Sequence, residues 1–299
     1  MPDRLLIVSP VRNEAAHIER VARAVAAQTR PPDAWVVVDD GSDDDTRAIL
    51  RSLEPEIPFM LVVAAPERHA VGRQRDRLAA AAAPRAFNAG LACADAGSYT
   101  HVGKLDGDIE LPPQYFEQLL DRFAQDPVLG IACGDLVEPH GTGWKRIRIP
   151  EHHVHGALKL YSRACFEAIG GVQERLGWDT IDETYARLYA FRTRSFADLV
   201  AVHHRPWASA DGRLRGCARH GTCAFIARYG PGWVALRSLK IATTRPLGLA
   251  GLAFLFGYLR AAVLSVPRVE DDEFGCFVRR EHRRRIRRSL RLARTPGGL

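Results

Sequence analysis

Short apolar runs alternate with helically spaced stretches through the first 130 residues. Arg4–Ser9 (RLLIVS), Ala34–Val38 (AWVVV), Pro58–Ala64, Tyr99–Leu105 and Val128–Val137 have strand length and strand composition. Between them, Glu14–Gln28 spaces Ile18, Val21 and Val25 onto one helical face. Asp43–Leu53 opens with carboxylates suited to a helix start, and Pro113–Ala124 reads as a further helix. Arg77–Ala94 is Ala-rich and helical in pattern, with Pro84 predicted to break or kink it. This alternation predicts an α/β fold: a mostly parallel sheet with helices on both faces. In such sheets, ligands bind beyond the carboxyl ends of the strands.

After residue 138 the pattern changes. Residues 139–155 form a loop rich in His, Gly and Arg. A short strand (GALKLY), a helix at Arg163–Ile169 and the pair Gly170-Gly171 follow. Residues 177–204 read as an acidic helix entry and then strands, 211–229 as helical, and Pro246–Val266 as strongly apolar. The expected organisation is a first half over 1–138, a second half of the same domain over 139–235, and a C-terminal segment over 236–299.

Composition narrows the function classes. The chain has 299 residues, 46% hydrophobic and 26% charged, which excludes a wholly disordered protein. Its net charge of +7 is not spread evenly. Residues 279–294 contain nine Arg and one Glu, and the remainder has 33 basic against 34 acidic residues. The basic tail therefore predicts contact with an anionic membrane surface, and no nucleic-acid partner is expected of a near-neutral body. Six scattered cysteines without a C-x-x-C pair read as buried thiols. With no secretory leader pattern, they suggest a reducing, cytosolic setting.

The polar chemistry stands just after three strands. The first is followed by Pro10-Val11-Arg12-Asn13-Glu14, the second by Asp39-Asp40-Gly41-Ser42-Asp43, and the fourth by Asp106-Gly107-Asp108. Two carboxylates flanking a glycine suit a divalent cation that keeps open positions for a diphosphate. In VVVDDGSDDDT, Asp43 to Asp45 suit helix capping, leaving Asp39 or Asp40 to face a ligand, where a carboxylate accepts the imide N–H of a nucleobase.

The Ser-Pro-x-Arg-Asn-Glu segment, VVVDDGSDDDT and KLDGDIELPP, in this order, resemble the family 2 inverting glycosyltransferases of the Rossmann-like GT-A fold, over about residues 3–205. The resemblance implies that Pro10, Arg12 and Glu14 line a nucleotide pocket and that Asp40 reads the base. It also implies that Asp106 and Asp108 bind diphosphate and Mg²⁺ or Mn²⁺. Arg85 stands where such enzymes place an arginine near the nucleotide, and Lys104 is within reach of a phosphate. The family places its catalytic base at a helix start downstream of a Gly-Gly segment. Here Asp179, Asp182 and Glu183 compete, with Asp182 the first choice, Glu183 the second and Asp179 the third. Where the family reads Glu-Asp, this chain reads Asp-Glu. A late histidine, His203 or His204, would complete the metal shell. The implied partners are a nucleoside-diphosphate sugar donor and a lipid-linked or polymeric glycan acceptor, met at the cytoplasmic face of the cell membrane. Trp144, Lys145, Arg146 and Arg148 would meet an anionic acceptor, whereas His152, His153 and His155 read as a solvated loop. The start VSPVRNEA lacks the glycine-rich phosphate loop of a same-fold nucleotidyltransferase.

The apolar segment from Leu247 has 13 residues before Arg260, about 20 Å of helix against a hydrocarbon core of roughly 30 Å. Arg237, Lys240 and Arg245 precede it and the arginine tail follows. Basic residues on both flanks favour a helix lying in the membrane plane or re-entering, over one that crosses.

Overall fold

β1 (Leu5–Val11) is apolar on both faces, and Leu5 to Val8 are fully buried, as a strand between two covering layers requires. It pairs in parallel with β2 (Ala34–Asp39) on one side and β4 (His101–Leu105) on the other, and β2 pairs in parallel with β3 (Met60–Ala64). The connections contain α1 (Ile18–Ala26), α2 (Thr46–Leu53) and α3 (Ala82–Leu91). The alternation in the sequence is therefore realised as successive right-side-up parallel strands. The computed structural model describes residues 3–66, 81–205 and 212–294.

Past β4 the pairing changes. β8 (Leu158–Ser162) runs antiparallel to β4, and β6 (Leu129–His140) antiparallel to β8. β9 (Arg192–His203) is parallel to β6, and the short β5 (Ile109–Glu110) closes that edge antiparallel to β9. β7 (Gly143–Ile147) folds back on β6. The order is β3-β2-β1-β4-β8-β6-β9-β5. The sheet is thus mixed, and the expectation of a mostly parallel sheet holds only for its first four strands. Parallel neighbours need long crossovers: after α4 (Tyr115–Gln125) the short β6–β7 link gives an antiparallel hairpin, whereas the long connections that precede β9 allow it to pair in parallel with β6. α5 (Arg163–Ala168) and α6 (Trp178–Leu188) complete this part.

The chain divides into two compact units, residues 1–207 and 208–299. All nine strands belong to the first. The second contains α7 (Arg213–Ile226), α8 (Pro231–Ala242), α9 (Leu249–Val263) and α10 (Asp272–Arg294), and its small core centres on Ala224, Val234 and Phe254. Residues 212–235, grouped with the sheet in the sequence reading, lie in this helical unit.

Several local expectations change for identifiable reasons. Pro84 does not kink α3, because it sits third in the helix, where its missing N–H would have no intrahelical partner. The start expected at Arg77 lies outside the described residues. The loop over 139–155 contains a strand, β7. α8 had no counterpart in the sequence reading, since its Gly-Pro-Gly opening imitates a turn while Pro231 serves as a first-turn proline. Asp43 does not cap α2; its carboxylate accepts from Asn13 Nδ2 at 2.6 Å. Cys93 and Cys276 are exposed, unlike the buried Cys133 and Cys165. Among the described residues, no helix is long and apolar enough to cross a membrane.

Trp35 is the largest fully buried side chain, and its indole N–H donates to Ser9 Oγ at 2.9 Å. Ser9→Ala strands that donor in the core. Its expected cost is about 1–3 kcal/mol, read as a lowered melting temperature, with the exposed Ser52→Ala as an unchanged control.

Candidate functional site

The loops after β1 and β2 are stapled to each other. Asn13 adopts a left-handed backbone (φ 54°). Its amide N–H donates to Ser42 Oγ at 3.0 Å, and its side-chain oxygen accepts from Asp43 N at 3.0 Å. The next amide, Glu14 N–H, donates to Thr46 Oγ1 at 2.8 Å. Arg12 reaches across to donate to the Asp40 carbonyl at 3.2 Å. Pro10 lies half-buried within β1, opposite Val38 of β2.

This geometry separates the two carboxylates that end β2. Asp39 is buried, and its oxygens accept from Ser42 N at 2.9 Å and Arg47 Nε at 2.7 Å. Burial alone would raise its pKa, but Ser42 and Arg47 outweigh it and hold the carboxyl below its usual range. Asp39 is committed to the loop, and Asp40 is the carboxylate of the pair that reaches the surface.

The acid turn after β4 sits directly against this loop, for a Cβ on Gly107 would press on Val11 and Glu14. Asp108 is buried, and β5 pairs with β9 so that Ile109 lies opposite His203. That register brings His203 Nε2 to 3.4 Å from Asp108 Oδ2. Arg205 Nε lies 3.8 Å from the same oxygen, and Arg205 Nη2 donates to Glu14 Oε2 at 2.6 Å. Burial would raise the pKa of Asp108, but His203 and Arg205 prevail and lower it. Glu14 goes the other way: burial, reinforced by the Asp108 charge, pushes it up to about 8 despite Arg205.

The remaining candidates distribute unevenly. His204 turns from the acid turn to Glu110, at 2.7 Å, and stacks on His17, so His203 is the histidine beside the carboxylates. Asp106 is ion-paired with Lys104, whose Nζ also donates to the Gly156 carbonyl at 3.0 Å. Lys104 is therefore a buried, occupied ammonium and not a solvated strand end. Arg85 lines a cleft beside Ala65 at the end of β3 and faces Glu174 at 3.5 Å.

The three carboxylates of α6 take different places. Asp182 is only 2% exposed, accepting from Lys159 Nζ at 2.9 and 3.0 Å and from Tyr161 Oη at 2.5 Å. Glu183 is equally buried, accepting from the Val154 amide at 3.0 Å with His153 Nδ1 at 3.1 Å. Burial disfavours its ionised form, but Lys159, His153 and Arg187 reverse this and lower the pKa. Asp179, in the first turn, is half-buried; a Cβ added to Gly156 would stand 3.1 Å from its Oδ2. Gly156 is also the residue whose carbonyl holds Lys104, the partner of Asp106. Asp179 is thus the α6 carboxylate beside the acid turn, and Asp182 and Glu183 face the interior.

His153 and His155 are not a solvated pair. The first ties its loop to Glu183, and the second is buried, with its pKa lowered to about 4 by burial and neighbouring His153. Arg146 lies 3.6 Å from Asp135, and exposed Trp144 meets His204 edge-on. Sequence reasoning missed Arg205, Lys159 and Tyr161. Arg205 had a signal in its place directly after the paired histidines. Lys159 and Tyr161 look like ordinary members of an amphipathic strand.

The donor chemistry fits a hard divalent cation. Asp106 and Asp108 offer carboxylate oxygens from one turn, and His203 Nε2 adjoins. Among the described residues no three such side chains are already gathered around one point.

The glycosyl transferase family 2 model matches residues 6–163. The succinoglycan biosynthesis protein ExoA of Rhizobium meliloti is 35% identical over 117 residues, which is 39% of this chain and 31% of that relative's length. The matched stretch is therefore under a third of ExoA. Two solved structures share the fold. The mannosyltransferase PcManGT of Pyrobaculum calidifontis, in complex with GDP-Man and Mn²⁺, has a TM-score of 0.55 at 18% identity, covering 98% of this chain and 82% of that one. S. aureus TarS 1–349 in complex with UDP-GlcNAc has a TM-score of 0.53 at 16% identity, covering 89% and 74%. With residues 6–163, more than half of its length, matched by the family model, the chain belongs to glycosyl transferase family 2.

Proposed function

We propose that the protein is a metal-dependent, inverting glycosyltransferase. It moves a sugar from a nucleoside diphosphate to a hydroxyl of a lipid-linked or polymeric envelope glycan at the cytoplasmic face of a membrane. The observation that carries this reading is one sheet edge holding two kinds of carboxylate. Asp106 and Asp108 belong to the acid turn beside His203, and Asp179 stands apart at a helix start. The names of the relatives support it: nucleotide sugars and Mn²⁺ in the solved structures, and polysaccharide biosynthesis for ExoA.

In this reading the nucleotide lies along the edge of β1 and β2. Asp40 accepts the imide N–H of the base, and Pro10, Arg12 and Arg85 border the pocket. Mg²⁺ or Mn²⁺ would be held by Asp106, Asp108 and His203, with the rest of its shell from diphosphate oxygens. When bound, it offsets the charge that builds on the leaving nucleoside diphosphate. Arg205 keeps Glu14 and Asp108 from repelling each other. Asp179 accepts the proton of the acceptor hydroxyl as that oxygen attacks the anomeric carbon. The bond to the diphosphate breaks on the opposite face, which inverts the centre. A base must reach the proton it removes. Asp179 meets that condition better than Asp182, the first choice from sequence, whose oxygens are occupied by Lys159 and Tyr161.

Two predictions separate these roles. Asp179→Asn is expected to lower kcat by about 10²–10⁴-fold with an unchanged melting temperature. Lys159→Met should instead destabilise the fold by about 3–5 kcal/mol, because it leaves two buried carboxylates without their ammonium. Transfer assays paired with thermal melts test both; full activity in Asp179→Asn would return the base to Asp182 or Glu183.

Thermal stabilisation by UDP- and GDP-sugars in the presence of Mn²⁺ tests the donor site. One nucleotide series should stabilise the wild type, and EDTA or Asp108→Ala should weaken binding by roughly tenfold or more, about 1.4 kcal/mol. A folded protein stabilised by no nucleotide sugar would overturn the transferase proposal.

A further inference from the structure

The second unit presents an apolar face that its own packing leaves uncovered. On α9, Leu249, Leu252, Phe256, Leu259 and Val263 recur at spacings of three and four, and each is more than half exposed. That spacing lines one face of a helix. The opposite face of α9 holds Ala250, Gly251, Phe254, Gly257 and Ala261, all buried. α8 adds Leu236 and Leu239, and the link between the two helices adds Leu247, again exposed. Isolated surface leucines need no explanation, but a continuous row of this size on one side of a helix pair does.

How the helices are joined sharpens the point. α9 packs closely against α7 through Gly221 and Gly257, each of which has the partner helix's backbone where a Cβ would be. α8 meets α9 at Gly251, against the Ser238 carbonyl and Ala242. The closest helix contacts are thus made by small residues beside a small core around Phe254, while the row of five large apolar side chains on α9 is turned outward. A helix in water buries its large apolar residues and exposes its small or polar ones; this arrangement is reversed, as in helices that meet lipid.

Charge selects the occupant. Between Gly212 and Arg268 the chain carries eight arginines and one lysine, and neither aspartate nor glutamate. Lys240 and Arg260 are exposed and follow Leu239 and Leu259 directly, where long side chains extend past an apolar face to its rim. A second copy on this face would bring these cations together without anions between them, a repulsive juxtaposition. An anionic headgroup layer supplies the missing charge. α9 has 15 residues, about 22 Å, short of the roughly 30 Å needed to cross.

We infer that the outer face of α8 and α9 is a membrane-docking surface, lying in the plane of an anionic bilayer with Leu252 and Phe256 at its centre and Lys240 and Arg260 at the headgroup level. The inference deepens the proposed membrane association and rests on that reading. It assigns the contact to this face without needing the arginines of α10.

The test is sedimentation of the full-length protein with phosphatidylcholine vesicles, with and without phosphatidylglycerol. The wild type should partition onto the anionic vesicles. Leu252→Asp/Phe256→Asp should reduce partitioning by about 100-fold, since two large apolar side chains no longer enter the bilayer. Lys240→Glu/Arg260→Glu should reduce it by roughly tenfold or more, and only on the anionic vesicles. Because the four side chains are exposed, melting temperature and donor-induced stabilisation should stay at wild-type values. Equal partitioning of wild type and the Asp variant would overturn the inference. So would lipid-independent self-association of the wild type that the Asp variant abolishes, which would assign the face to a second copy. Vesicle binding without nucleotide-sugar binding would defeat the transferase proposal and leave this one standing.

Discussion

A fully buried ammonium can stay charged only if its counter-ions are buried with it, and Lys159 sets that condition for the second half of the sheet. Its Nζ, on β8, is held by both oxygens of Asp182 and lies 3.4 Å from Glu183, and it donates to the Asp179 carbonyl at 2.6 Å. Burial pushes the lysine pKa down, but the three α6 groups reverse this and raise it. Such a pair adds little net stability compared with an apolar substitute, but breaking it is expensive. Its structural effect is directional. The ion pair fixes how α6 begins, and therefore where Asp179 points, while Glu183 fixes the preceding loop through His153 and the Val154 amide.

The edge of the first half works on an unbalanced charge. Glu14, Asp106 and Asp108 crowd one corner of the sheet, and the loops that place them are locked by Asn13, Ser42 and Thr46. Arg205, His203 and Lys104 provide the compensating positive charge. Burial, reinforced by the Asp108 charge, prevails over Arg205 and raises the Glu14 pKa to about 8.

The sequence reveals which residues meet more readily than what each does after meeting. Alternating strands and helices located the parallel half, and the three polar clusters were found at the strand ends because that is where such sheets place polar loops. The antiparallel half was less legible, since β7 and β5 are short and their pairing depends on partners distant in sequence. Neighbouring carboxylates were the least legible. Asp39 and Asp40 are adjacent in sequence, yet one is consumed by Arg47 and Ser42 and the other reaches the surface. In α6, Asp179 stands in the first turn and Asp182 one turn further in, and the residue that takes up Asp182, Lys159, lies 23 positions away on another strand. Nothing in local spacing announces a partner at that distance. Arg260, read as an interruption of an apolar stretch, is instead the basic rim of a helix whose apolar face is turned outward.

The two halves of the site are joined by a single indole. Lys104 and Lys159 both approach the Trp178 ring, at 5.6 and 5.3 Å from its centre. Each ammonium answers to different carboxylates: Lys104 to Asp106 in the acid turn, Lys159 to Asp182 in the interior. The two lysines are register partners on β4 and β8, so they rise side by side from one face of the sheet toward the same ring. Trp178 is the first residue of α6, immediately before Asp179. The turn proposed to hold the diphosphate and the carboxylate proposed to take the proton are therefore referenced to the same side chain.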